Sequence, residues 1–170
     1  KGPDFGTLDL TAQGADFNTA VGDNALAANV NGQYNVCFGL NAGDVTTAGT
    51  RLTLLGTAAG RGNITADGIG TVAVGYAAYN VGTSGIANTA IGYQALLVED
   101  DGDYNTAVGY GVFEKQTGTS GTVANTGVGY RAGYYNTTGV KNTYIGYHSG
   151  FGVSGNPNSS NSAVGYRSLV

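Results

Sequence analysis

Few residues in this chain could do chemistry, and only one stretch groups several of them. The run "EDDGDYN" places four carboxylates, Glu99, Asp100, Asp101 and Asp103, around Gly102. A hard cation such as Ca²⁺ needs several converging oxygens, which an acidic turn can supply. The spacing matches neither the EF-hand loop nor the Gly-rich nonapeptide of calcium-binding β-rolls, so these four make a weak calcium candidate and a solvated acidic turn is expected. Adjacent turn residues also cannot reach opposite sides of a glycosidic bond, as paired glycosidase carboxylates must. His148 is the sole histidine and Cys37 the sole cysteine. They support no metal-ligand set and no Cys–His nucleophile pair, and a single cysteine excludes an internal disulfide framework. The reading is therefore not an enzyme, with no catalytic residue and no cofactor.

Tyrosines form a second candidate. Tyr76, Tyr93, Tyr110, Tyr130, Tyr147 and Tyr166 each directly follow a glycine, and Gln94, Arg131, His148 and Arg167 follow tyrosines of that set. Stacked phenols with hydrogen-bonding neighbours could read a polysaccharide, since aromatic faces suit sugar rings. Alternatively the rings cover a corner of the fold or pack between chains. The sequons at Asn63, Asn136 and Asn158, and the Thr/Ser-rich turns at Thr117 to Ser120 and at Thr137 and Thr138, mark surface acceptors for glycans if the chain passes through a glycosylating export route.

The tyrosines recur because the chain does. "NTAVGY" at Asn105 returns as "NTAIGY" at Asn88, "NTGVGY" at Asn125, "NTYIGY" at Asn142 and "NSAVGY" at Asn161. The anchoring glycines are Gly22, Gly39, Gly56, Gly75, Gly92, Gly109, Gly129, Gly146 and Gly165, spaced 17 to 20 residues apart. A degenerate earlier copy lies at Phe5–Gly6 within residues 1–16. The residue before each anchor is apolar, the third before it is Thr, Val or Ser, and the fourth is usually Asn. A second glycine precedes each next copy, and the extra residues of the longer copies fall mostly before it, which marks a loop. Strand, glycine break, shorter strand and glycine turn make one rung of a β-solenoid. The fold class is thus all-β, a single repeat domain of about nine rungs over residues 17–170. At roughly 4.8 Å per rung the rod is about 40 Å long. The Asn column suits side-chain amide ladders.

Strand alternation places the Val/Ile and Thr columns on one face and the residue between them on the other. With the first face taken as the inside, the column of Ala20, Ala73, Ala90, Ala107 and Ala163, together with Cys37, Leu54, Gly127 and Tyr144, faces outward and carries no charge. Those alanines are then the expected inter-chain seam. An inward Thr column also argues against ice binding.

Charge and hydropathy exclude further classes. Net charge is −4 and only 11% of residues are charged. No basic stripe recommends a nucleic-acid partner, and no apolar run is long enough to span a membrane. The chain opens at Lys1, contains no Met, and stops at "GYRSLV" in mid-rung. It reads as a processed product or a piece of a longer fibre, or as a rod that polymerises end to end.

The "TAVGY/TAIGY" strand, the following Ala95 or Ala132 and the "TTG" turn at Thr137–Gly139 resemble repeats of the β-roll heads of trimeric autotransporter adhesins. They are similar also to the "NTAVGYGAL"-type repeats of phage tail-fibre proteins. The resemblance covers Phe17 to Val170, departing where Asp23, Leu40 and Thr57 replace Tyr and in its 17-residue period. It implies a parallel homotrimer in an exported or virion fibre that attaches to a surface receptor or polysaccharide, extracellular or on a cell surface. The expected function is a rigid fibre module, with a carbohydrate-binding module using the Tyr column as the alternative.

Overall fold

The computed structural model describes residues 17–65, 68–118, 120–152 and 159–170. The degenerate rung at residues 1–16 and the sequon at Asn158 lie outside them. The described residues form a parallel β-solenoid with no helix. Its strands are β1 (Thr19–Val21), β2 (Val36–Phe38), β3 (Thr53–Leu55), β4 (Val72–Val74), β5 (Thr89–Ile91), β6 (Gly102–Asp103), β7 (Thr106–Val108), β8 (Gly121–Thr122), β9 (Thr126–Val128), β10 (Thr143–Ile145) and β11 (Ser162–Val164). One nine-stranded parallel sheet runs β1-β2-β3-β4-β5-β7-β9-β10-β11, and β6 pairs with β8 beside it. The β-branched residues of each three-residue strand favour this extended backbone. Repeat columns and sheet register coincide: Thr89 pairs with Thr106, Ala90 with Ala107 and Ile91 with Val108. The longer step from β7 to β9 keeps the same register, Thr106 opposite Thr126, so its added residues sit in the loop.

The corners follow a rule that residue types conceal. Every described non-glycine residue with positive φ falls in one of three columns, five before, two after or four after the anchor glycine, with φ between 49 and 63°. Left-handed backbone costs roughly 1–2 kcal/mol at each such residue. Inter-rung hydrogen bonds hold it, such as Gln94 N–H to the Tyr76 carbonyl and Tyr104 N–H to the Ile86 carbonyl, both 2.9 Å. The anchors need glycine for a second reason. At Gly92 (φ +136°) a Cβ would stand 2.2 Å from the Gly109 carbonyl oxygen.

The interior overturns the expected face assignment. Ala73, Ala90 and Ala107 are fully buried within a single chain, as are Cys37 and Leu54. Ala163 is buried, and Ala20 packs against the core from the first rung. The alanine column therefore lines the inside of the coil and is not an inter-chain seam. Outward stand the Thr and Val/Ile columns, with Phe38, Ile91, Val128 and Ile145 between 37 and 42% exposed. The physical reason is the narrow bore of the rung. Where the inner strand residue is small (Ala73, Ala90, Ala107), the residue four after the anchor is large and buried: Tyr79, Leu96 and Phe113. Where it is large (Leu54, Tyr144), that position is glycine: Gly60 and Gly150, whose added Cβ would come within 2.5 Å and 2.3 Å of those side chains. Close packing leaves room for one large side chain, from either wall.

The Asn column does form a ladder, but mainly to backbone. Asn88 Oδ1 accepts from the Asn105 N–H (2.9 Å), Asn105 Oδ1 from the Asn125 N–H (3.1 Å), and Asn125 Oδ1 from the Asn142 N–H (2.8 Å). Their amide nitrogens reach back to the turn: Asn88 Nδ2 donates to the Gly102 carbonyl (2.7 Å) and Asn125 Nδ2 to the Gly139 carbonyl (2.7 Å). Direct amide-to-amide bonds are present as well, from Asn105 Nδ2 to Asn88 Oδ1 (3.1 Å) and from Asn161 Nδ2 to Asn142 Oδ1 (3.2 Å). Each Asn thus closes its own rung and docks the next.

Three substitutions test this scheme by denaturant unfolding. Gly92→Ala is expected to cost about 3 kcal/mol or more through strain and clash. Asn105→Ala, which leaves the buried Asn125 N–H without its acceptor, should cost about 1–3 kcal/mol. Gly70→Ala should cost less, about 1–2 kcal/mol from left-handed strain alone, because a Cβ there meets nothing within 4 Å.

Candidate functional site

The acidic turn is where sequence suggested convergence, and its four carboxylates diverge. Glu99 is fully buried. Its Oε1 accepts from the Gly102 N–H at 2.7 Å and its Oε2 from Gln116 Nε2 of the next rung. Asp101 Oδ1 accepts from the Thr83 hydroxyl (2.6 Å) and the Ser84 hydroxyl (2.8 Å) of the preceding rung. These donors hold its carboxyl below the usual range. Asp103 Oδ1 takes the Ile86 N–H (2.8 Å), and Asp100 Oδ1 takes the Asp101 N–H (2.9 Å). No group of three or more His, Cys, Asp or Glu able to hold a metal is found among the described residues. Glu99, Asp101 and Asp103 fasten the turn to its neighbouring rungs, and Asp100 braces it from within.

Glu99 also opens an internal polar path that the sequence reading missed. Gln116 Oε1 accepts from Asn125 Nδ2 (2.8 Å) and Asn136 Nδ2 (3.2 Å), all of them buried. Asn136, read as a glycosylation candidate, is therefore an interior residue whose amide also donates to the Gly139 carbonyl (3.0 Å). Asn63 does lie at the surface and accepts from the Thr47 hydroxyl (2.9 Å). The signal for the buried path was the polar residue seven after the anchor, at Asn29, Glu99, Gln116 and Asn136. Cys37 is interior too, and burial pushes its thiol up to about 12, which removes it as a nucleophile.

The tyrosine column is the most regular surface feature. Tyr76, Tyr93, Tyr110, Tyr130, Tyr147 and Tyr166 stack in sequence, with centroids 4.8–5.4 Å apart and ring planes within 19° of parallel. Each inner ring therefore turns both faces to other rings and shows its edge to solvent. The row of open faces that the sugar-reading alternative requires does not form, and the stack is a brace along the rod.

Beside it runs the column two after the anchor. Arg131 lies over three rings, its guanidinium carbon 4.8 Å from the Tyr134 centroid, 5.4 Å from Tyr130 and 5.9 Å from Tyr110. His148 stacks against Tyr147 at 4.3 Å and Phe151 at 4.4 Å. Burial, then the charges of Arg131 and Arg167, hold its imidazole below the usual value. Arg131 Nε and His148 Nε2 have no hydrogen-bond partner among the described residues.

The outward Thr column removes the ground on which ice binding was set aside, yet Val36 and Val72 interrupt its hydroxyls. Beside it the Val/Ile column, which the sequence reading placed inside, makes an uncharged apolar stripe along the whole sheet.

Two measurements follow. Tyr110→Ala removes two stacked contacts and should lower stability by about 1–3 kcal/mol. Desolvation raises the Glu99 carboxyl above its ordinary value. The fold therefore favours the neutral acid, and its stabilising contribution is complete below the unfolded value near ~4.3 and lost as pH rises through the folded value. The melting temperature of Glu99→Gln relative to the parent should accordingly shift in favour of the variant as pH rises from about 4 to about 8. A flat difference would mean that burial does not raise the Glu99 carboxyl. No family model, no curated protein and no solved structure matches this chain.

Proposed function

We propose that the chain is a structural fibre module, a stiff rod in an exported or virion appendage whose parallel copies associate side by side. The observation that carries this reading is the outward apolar stripe. Across nine strands the Val/Ile column and its Thr neighbours contain no charged residue. Nine rungs at about 4.8 Å, over three-residue strands at about 3.3 Å per residue, give roughly 430 Å². A patch of a few hundred Å² is at the upper end of what soluble monomers leave uncovered, and such patches often serve an interaction. A second copy presenting the same stripe in the same repeat is its natural cover. Three copies are the number implied by the fibres this chain resembles. In this reading the rod works mechanically, holding an attachment site for a receptor or polysaccharide away from a surface, and its stiffness comes from the backbone ladder, the Asn column and the Tyr stack.

Light scattering on the full chain tests the assembly. A mass of three chains is expected, falling to one chain in the double variant Ile91→Asp, Val108→Asp while circular dichroism stays unchanged. Ala90→Asp should instead unfold the chain, because Ala90 is interior. A monomeric parent overturns the side-by-side reading, and a large open-ended mass redirects it to end-to-end growth.

A further inference from the structure

Charge is segregated along this chain. All eleven Asp and Glu residues lie at or before Glu114, whereas Lys115 to Val170 holds four Lys and Arg residues, His148 and no carboxylate. Three of these side chains share one column on successive rungs: Arg131, His148 and Arg167. Their φ values are 51, 53 and 49°. Equal backbone geometry sends the three side chains the same way, about 4.8 Å apart per rung. Side chains in this column do reach one another, as Asn24 Nδ2 donating to Asn41 Oδ1 (3.2 Å) demonstrates nearer the N-terminus.

No described Asp or Glu is ion-paired with this column. Glu114, the only carboxylate of the preceding rung, is held through Oε1 by Lys115 Nζ at 3.0 Å and by the Tyr134 hydroxyl at 3.1 Å, while its Oε2 borders the same space beside Gly111 as the Arg131 side chain without pairing with it. Neither Arg131 nor Arg167 is ion-paired with a described residue. Arg131 is also braced on its rings, so it loses little side-chain freedom when it meets an anion. Like charges in register repel, and an anion lying along the rod relieves that repulsion.

We propose that the Arg131–His148–Arg167 column, bordered by Tyr147 and Phe151, is a binding strip for an acidic polysaccharide running parallel to the rod axis. The two arginines, whose backbones stand two rungs or about 9.6 Å apart, pair with carboxylates of separate sugars. His148 and the flanking ring edges meet the uncharged parts between them. A sparsely charged glycan fits better than nucleic acid, whose backbone carries a charge every ~1.7 Å of duplex and binds through many phosphate contacts. Here two cations are offered, on a rod whose other two thirds are acidic. This site does not depend on how the copies associate, so it can fail while the fibre reading stands.

The test is calorimetric titration of the full chain with an oligogalacturonate, beside a neutral oligogalactoside of equal length. The acidic oligomer is expected to bind, more weakly as NaCl rises from about 50 to about 300 mM. Arg131→Gln with Arg167→Gln should weaken binding about tenfold or more. Glutamine is native to this column at Gln94, and circular dichroism checks the fold. Should the double variant unfold, the exposed Arg167→Gln alone is expected to weaken binding about threefold. Arg51→Gln, in a different column, should leave it unchanged. The proposal is overturned by absence of binding, by equal binding of the neutral oligomer, by an unaffected double variant, or by an equal loss in Arg51→Gln. Equal affinity for an oligothymidylate would also overturn it, in favour of a surface that attracts any polyanion.

Discussion

Each rung must lay its backbone donors over the acceptors of its neighbour, in register, and most other features of this rod follow from that requirement. A parallel ladder of three-residue strands offers few hydrogen bonds per step. The Asn column supplements them at the point where the strand begins, docking one rung on the next and tying the turn of its own rung with the same side chain. Register then fixes the corners. Three positions per rung are held in left-handed backbone although most are not glycine, a cost that only the neighbouring rung's hydrogen bonds offset. The coil is therefore stable as a stack and has little meaning as a single turn.

The interior adds a second constraint, constant volume per layer. Between the strand and the wall opposite it, each layer admits one large side chain, placed either on the strand or four residues past the anchor glycine. Leu54 and Tyr144 take the first option and are matched by Gly60 and Gly150; Tyr79, Leu96 and Phe113 take the second and are matched by alanines. Phe113 fills two layers, since Gly127 opposite it has no side chain and a Cβ there would reach its ring at 2.7 Å. Small inner residues are thus the outcome of packing within one chain, not of contact between chains.

On the outside, register turns single residues into ladders. A tyrosine becomes a column of stacked rings, a valine a stripe, an arginine a file of like charges. In the reading proposed above the apolar stripe takes a second copy and the Arg131–Arg167 column an anion, and the two lie on different columns.

The solenoid itself was legible in the sequence, because a residue that must sit above its counterpart leaves a visible column: anchor glycines, Asn, Thr and Val/Ile all appear at constant offset. Loop positions were legible too, since extra residues collect before the second glycine. The inside and outside of the strand were not. Alternation separates two faces without labelling them, and here the face with β-branched residues, taken as core, is the outer one. Only the bore of the coil decides that, since β-branched side chains and the large residues of the opposite wall cannot both fit. The acids of Glu99–Asp103 looked like a cluster because they are neighbours in sequence, whereas the coil sends Glu99 to one rung and Asp101 to another. Ring stacking likewise depends on spacing in three dimensions, so the tyrosines were countable in the sequence while the direction of their faces was set by the fold.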